Sequence, residues 1–96
     1  MFNNASTFTT GFEIVSLSPN PVANVEALLN ITSSQRQNLR IIVYDMLGNM
    51  VYEKKEAILQ GFTQVKLDVR KLSPAVYCIK IFTDKQETRS LRFIKQ

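Results

Sequence analysis

The chain has 96 residues, 45% of them apolar and 21% charged, with three Gly and three Pro, a mixture that builds one small globular core and excludes a disordered or collagen-like chain. It holds no histidine and one cysteine, which removes His-dependent triads, His-ligated metal sites, an internal disulfide and a Cys-rich zinc cage. The net charge of +4 comes from 12 Lys and Arg against 8 Asp and Glu, and the basic residues are spread thinly from Arg36 to Lys95 with only Lys54-Lys55 and Arg70-Lys71 adjacent, the pattern of a solvated surface and not of a nucleic-acid footprint.

Residues 1–12 are rich in Asn, Ser, Thr and Gly, with Phe2, Phe8 and Phe12 at no regular spacing. They are expected to form a linker outside the core, leaving residues 13–96 as the folded domain. The start has neither a positive n-region nor an apolar h-region, so it does not read as a secretory signal; the protein is then either internal or a piece of something longer. Apolar stretches such as Ile41-Ile42-Val43-Tyr44 are far shorter than the roughly 20 residues that span a bilayer, so membrane insertion is not expected.

From Glu13 onward, short runs rich in Val, Ile, Leu, Tyr and Phe recur about every ten positions between turn signals, the pattern of an all-β chain. The first run, Glu13 to Leu17, stops at Pro19-Asn20-Pro21, where proline removes backbone donors and holds its neighbours extended. The second, Val25 to Ile31, puts Val25, Ala27, Leu29 and Ile31 on one face. The third, Leu39 to Tyr44, is apolar on both faces and is expected mid-sheet. Asp45 and Gly48 then supply the chemistry of a bulged hairpin leading into the fourth run, Met50 to Glu56.

Gln60-Gly61 turns the chain into the fifth run, where Thr63, Val65, Leu67 and Val69 alternate with polar residues. Leu72-Ser73-Pro74 precedes the sixth, Val76 to Thr83. A hairpin at Asp84-Lys85-Gln86 leads to the last run, where Leu91 and Phe93 alternate with Ser90, Arg92 and Ile94. No window sustains helical spacing, Val22 to Asn30 coming nearest. The expectation is a seven-stranded, antiparallel, immunoglobulin-like β-sandwich without the Cys, Trp and Cys of antibody domains.

No acid, base and nucleophile converge at any strand or turn spacing, so an enzyme is not expected and no catalytic, cofactor-binding or metal-binding residue is nominated. Asp45 reads as a turn residue, Cys78 as a small buried apolar side chain, and Tyr44, Tyr52 and Tyr77 as core or rim residues in preference to a sugar-stacking platform.

The order of motifs carries more. Leu17-Ser18-Pro19-Asn20-Pro21, Val43-Tyr44-Asp45-Met46-Leu47-Gly48 with Val51, Leu67-Asp68-Val69 followed by Leu72-Ser73-Pro74-Ala75-Val76-Tyr77, and the closing Arg92-Phe93-Ile94-Lys95 together resemble the C-terminal sorting domain of type IX secretion cargo. Ala75 stands where that family usually has Gly, and Arg92 where it prefers Lys.

The resemblance implies a non-catalytic module that directs a covalently attached N-terminal passenger through the outer-membrane translocon of Gram-negative bacteria to the cell surface or extracellular space, where a sortase-like peptidase removes the module. Within it, Pro19, Asn20, Pro21, Asp45, Gly48, Val76 and Tyr77 are expected to be mainly structural. Arg89, Arg92, Phe93, Ile94 and Lys95 of the last strand are expected to meet the translocon, with the basic groups accessible, by edge addition or by charge. Edge strands could also support self-association. The alternative reading is an immunoglobulin-like binding or spacer module of a surface protein, with a glycan or protein ligand.

Overall fold

The computed structural model describes residues 12–19, 22, 26–84 and 88–96, which form seven antiparallel strands in two sheets and no helix. The strands are β1 (Phe12–Ser18), β2 (Glu26–Ser33), β3 (Gln37–Tyr44), β4 (Met50–Ile58), β5 (Gly61–Asp68), β6 (Ala75–Thr83) and β7 (Thr88–Lys95). One sheet has the order β1-β2-β5 and the other β4-β3-β6-β7, the packing of an immunoglobulin-like β-sandwich. Residues 85–87 at the β6–β7 tip and Asn20 and Pro21 of the first proline motif lie outside the described residues.

The two-residue side-chain period decides what goes inside. Ala27, Leu29 and Ile31 of β2 and Val65 and Leu67 of β5 face Leu39, Ile41 and Val43 of β3 and Tyr77, Ile79 and Ile81 of β6 across one continuous core. Each fully buried aliphatic side chain contributes on the order of 1.5–3 kcal/mol. β3 lies between β4 and β6, as its two apolar faces require. Its outward residue Ile42 is only 2% exposed, opposite Glu53 of β4 and Lys80 of β6, where long charged side chains lay their stems over apolar surface.

Phe12 departs from the expected linker: it opens β1 and is buried in the core. The Arg89 guanidinium lies 5.3 Å from the centre of its ring and reaches Glu13 at 3.4 Å, so β7 of one sheet holds β1 of the other. β1 also carries a register shift between Ile14 and Ser16, which leaves Val15 exposed and bends an edge strand that would otherwise invite pairing.

The β3–β4 hairpin is built by Asp45. Its Oδ1 accepts hydrogen bonds from the Leu47 and Asn49 amides, both at 2.9 Å, and its Oδ2 accepts from Asn49 Nδ2 at 3.2 Å. These donors, the Asn49 amide foremost, hold the Asp45 carboxyl below its ordinary range. Gly48 has φ of 89°, a conformation that a Cβ makes costly. The register shifts between Val43 and Tyr44, which is the expected bulge. Gly61, at φ of 104°, opens β5 as the chain crosses between sheets. Ala75 is paired with Lys95 as a regular strand residue, so replacement of the family's usual glycine leaves the strand intact.

Asp68 closes β5 and accepts from Arg70 Nη2 at 2.7 Å, Nε at 3.0 Å and the Arg70 amide at 3.1 Å. These bonds hold its carboxyl down at about 2, from an ordinary 3.8. A carboxyl depressed on folding stabilises the fold above its unfolded pKa, and that contribution disappears as pH falls through the folded value. The melting temperature of the protein is therefore expected to fall more steeply than that of Asp68→Asn between about pH 4 and pH 2. The difference should shrink with added salt because the pair is exposed; parallel thermal melts of the two proteins across that window check it.

Candidate functional site

The last strand is the place to look, because its two faces have different jobs. Among the described strands β7 pairs with β6 alone, with Tyr77 opposite Phe93, Cys78 opposite Arg92 and Val76 opposite Ile94. Phe93 points inward and is 2% exposed, its ring stacked on Tyr77 at 5.5 Å between centres and 26° between planes. Tyr77 in turn donates its hydroxyl to the Ser73 carbonyl at 2.6 Å, so the Ser-Pro loop, the Val-Tyr strand and the closing strand form one packed unit.

Lys95 follows the same inward parity, and here the structure corrects the expectation of an accessible basic group. It is 8% exposed, and its Nζ donates to the Leu72 carbonyl at 3.1 Å. The reason is the strand period: Leu91, Phe93 and Lys95 all point to one side, so the ammonium has to find a carbonyl under the β5–β6 connection. Arg89 is also committed, to Glu13, to the Phe12 ring and to the Thr88 carbonyl. Arg92 differs from both. It is exposed on the outer face and, among the described residues, its guanidinium has no ion pair or hydrogen bond. Ile94, on the same face, is 50% exposed.

The backbone edge of β7 is capped at its end. The Val22 amide donates to the Ile94 carbonyl at 2.8 Å, and the Gln96 amide donates to the Val22 carbonyl at 2.7 Å, a parallel bridge of one residue. These bonds show that even-numbered residues direct their backbone groups outward, so Ser90 and Arg92 present theirs on the same edge. Sequence reading missed this cap because a single paired residue leaves no periodic signal. It also missed Phe12 and the inward turn of Lys95; for Lys95 the parity shared with Phe93 was the available signal.

Other candidates do not assemble. Cys78 sits on the outer face beside Arg92, half-buried, instead of in the core. The three tyrosines do not share a face: Tyr77 is in the core, Tyr52 accepts the Asp68 amide with its hydroxyl at 3.3 Å, and Tyr44 lies on the outer face with the Lys80 ammonium 5.6 Å from its ring centre. Among the described residues no cluster of three His, Cys, Asp or Glu can hold a metal ion. No helix among them is long and apolar enough to cross a membrane.

No curated protein matches the chain. A family model described as the secretion system C-terminal sorting domain matches residues 16–96, a span that takes in all of β2 to β7, the Asp45 turn and the closing strand. The chain therefore belongs to the secretion system C-terminal sorting domain family, and it is a sorting signal of type IX secretion that sends its passenger to the cell surface or beyond.

Proposed function

We propose that the type IX translocon reads the outward face of β7, chiefly Arg92 and Ile94, while Phe93 and Lys95 hold that strand in the fold and Arg89 ties it to β1. The observation that carries this reading is the parity of the last strand: Phe93 and Lys95 point inward and are buried, Arg92 and Ile94 point outward and are exposed, and among the described residues the Arg92 guanidinium has no partner. Display on a rigid sheet suits recognition because a partner meets the side chains without first having to order them.

Chemistry is not part of the domain's task. Among the described residues the carboxylates are engaged in turns and ion pairs or dispersed over wet faces, and Cys78 stands across from Arg92 and Tyr44 with no carboxylate as its strand neighbour. Once the passenger is outside, a sortase-like peptidase removes the domain by cutting near residues 1–12.

Cutting off residues 92–96 would test recognition poorly, because it would also remove Phe93 from the core. The double variant Arg92→Glu/Ile94→Ser changes only exposed side chains. In a bacterium carrying the machinery, a reporter with an export signal fused ahead of the chain should stay in the periplasm when the domain carries this variant, although the melting temperature of the domain is unchanged. Normal surface delivery of the variant would sink the reading. An immunoblot of the delivered reporter reads the cleavage step: it is expected to be smaller than the full fusion by about the 11.0 kDa of this chain, and delivered reporter of full length would rule cleavage out.

A further inference from the structure

The exposed large apolar residues are not scattered. Of the eight among the described residues, five (Met46, Leu47, Met50, Val51 and Ile94) lie at one end of the four-stranded sheet, and Leu47 is 87% exposed. The register shows why they share that end. Tyr44, Cys78 and Arg92 stand in one cross-strand row, with Met50 opposite Tyr44, and Val76 and Ile94 stand one row further toward the same end. Three inter-strand spacings separate the Met50 strand from the Ile94 strand, roughly 14 Å, a width that one protein surface covers. A cavity of about 320 Å³ lined by Val76, Arg92, Phe93 and Ile94 opens in this region.

The hairpin that carries Met46 and Leu47 is not a loose loop. Asp45 ties it with five hydrogen bonds, two accepted by Oδ1, one by Oδ2, one accepted by its carbonyl from the Gly48 amide and one donated by its amide to the Asn49 carbonyl. A rigid turn that spends its polar groups on itself and leaves two large apolar side chains in water is the anatomy of a contact surface.

Charge tells which partner fits. Arg40, Arg70 and Arg89 each hold a carboxylate, whereas Arg92 holds none among the described residues. The hairpin's own carboxylate, Asp45, has both oxygens occupied by turn donors. A second copy of this chain facing the patch across a twofold axis would offer Arg92 only the hairpin's Asp45, whose oxygens already accept three hydrogen bonds from its own turn, so the geometry favours a different protein.

We infer that the sorting signal is composite: the β3–β4 hairpin tip, through Met46, Leu47 and Met50, joins Arg92 and Ile94 in a single docking surface for an apolar face of the secretion machinery that carries a carboxylate opposite Arg92. This rests on the reading that the machinery meets the last strand, and extends it to a hairpin more than forty residues earlier in the chain. The apolar side chains supply the anchoring and the guanidinium fixes orientation.

The test again uses a reporter with an export signal fused ahead of the full chain. Its arms are Met46→Ser/Leu47→Ser at the hairpin tip, Leu47→Ser alone, Arg92→Glu/Ile94→Ser on the last strand, and Leu59→Ser, an exposed apolar residue at the opposite end of the sandwich. The double tip variant and the strand variant should each lower surface reporter about tenfold or more, the effect of losing one anchoring contact. Leu59→Ser should leave delivery intact, and the melting temperatures of all four proteins should match the parent. Should the double tip variant melt lower, Leu47→Ser alone decides. Normal delivery of the tip variants beside a blocked strand variant overturns the composite surface and leaves the last-strand reading standing. Normal delivery of the strand variant overturns both. A loss with Leu59→Ser equal to that with the tip variants shows a general effect of surface apolarity and overturns the proposal. So does a chain that sediments as a dimer and becomes monomeric with Leu47→Ser, because the occupant is then a second copy.

Discussion

Replacing Phe93 by alanine is expected to lower the unfolding free energy by about 3–5 kcal/mol, the range for emptying an aromatic site in a packed core. The ring is 2% exposed and stacked on Tyr77, and Tyr77 in turn holds the Ser73 carbonyl, so its loss loosens both the last strand and the loop that precedes β6. A small domain has only about 5–15 kcal/mol in hand, and a fusion carrying Phe93→Ala should fail in export because the module unfolds. Phe93→Leu should recover most of the stability, since it refills much of the volume. Urea denaturation of the two variants separates the cases. A loss below about 1 kcal/mol for Phe93→Ala would mean that the site collapses without cost or that the ring is not packed as described.

Reversing the charge of Lys95 is the second large effect. In Lys95→Glu a carboxylate would take the place of an ammonium that donates to the Leu72 carbonyl at 3.1 Å in a nearly water-free position. Oxygen would then face oxygen, and a buried ion would be left without a donor, at a cost of about 3 kcal/mol or more. Lys95→Met keeps the apolar stem and drops the charge, leaving only the carbonyl short of one donor, at about 1–2 kcal/mol. The order wild type, Met, Glu in denaturant midpoint is the expected result. Equal stability of Lys95→Glu and wild type would show that the ammonium reaches solvent after all, and would return Lys95 to the accessible surface.

Most of the strand architecture was legible from period and punctuation. β3 is apolar on both faces and is sandwiched between two strands; Asp45 and Gly48 stand three apart and make a bulged hairpin; Val65, Leu67 and Val69 alternate inward as their spacing demands. What stayed hidden depends on tertiary partners. Phe12 follows a polar, glycine-containing stretch and reads locally as linker, yet it is buried beneath Arg89, a residue 77 positions away. Cys78 lies in a run that is apolar at both parities, so composition does not say which face it takes; pairing with Tyr44 and Arg92 places it outside. Lys95 was read by its charge when its parity was the better guide. The convergence of the hairpin tip with the last strand depends on the β3–β6 pairing, which joins segments far apart in sequence and leaves no mark in either.

If this sandwich delivers whatever is attached to it, a passenger's fate should depend on the sandwich and on the translocon together. A reporter that carries only an export signal is compared with the same reporter fused ahead of the whole chain, in a host with the type IX translocon and in one lacking it. Protease-accessible reporter is expected outside the cell only for the fusion in the host with the translocon. Fused reporter that remains in the periplasm of that host, or that reaches the surface equally well without the translocon, would contradict it.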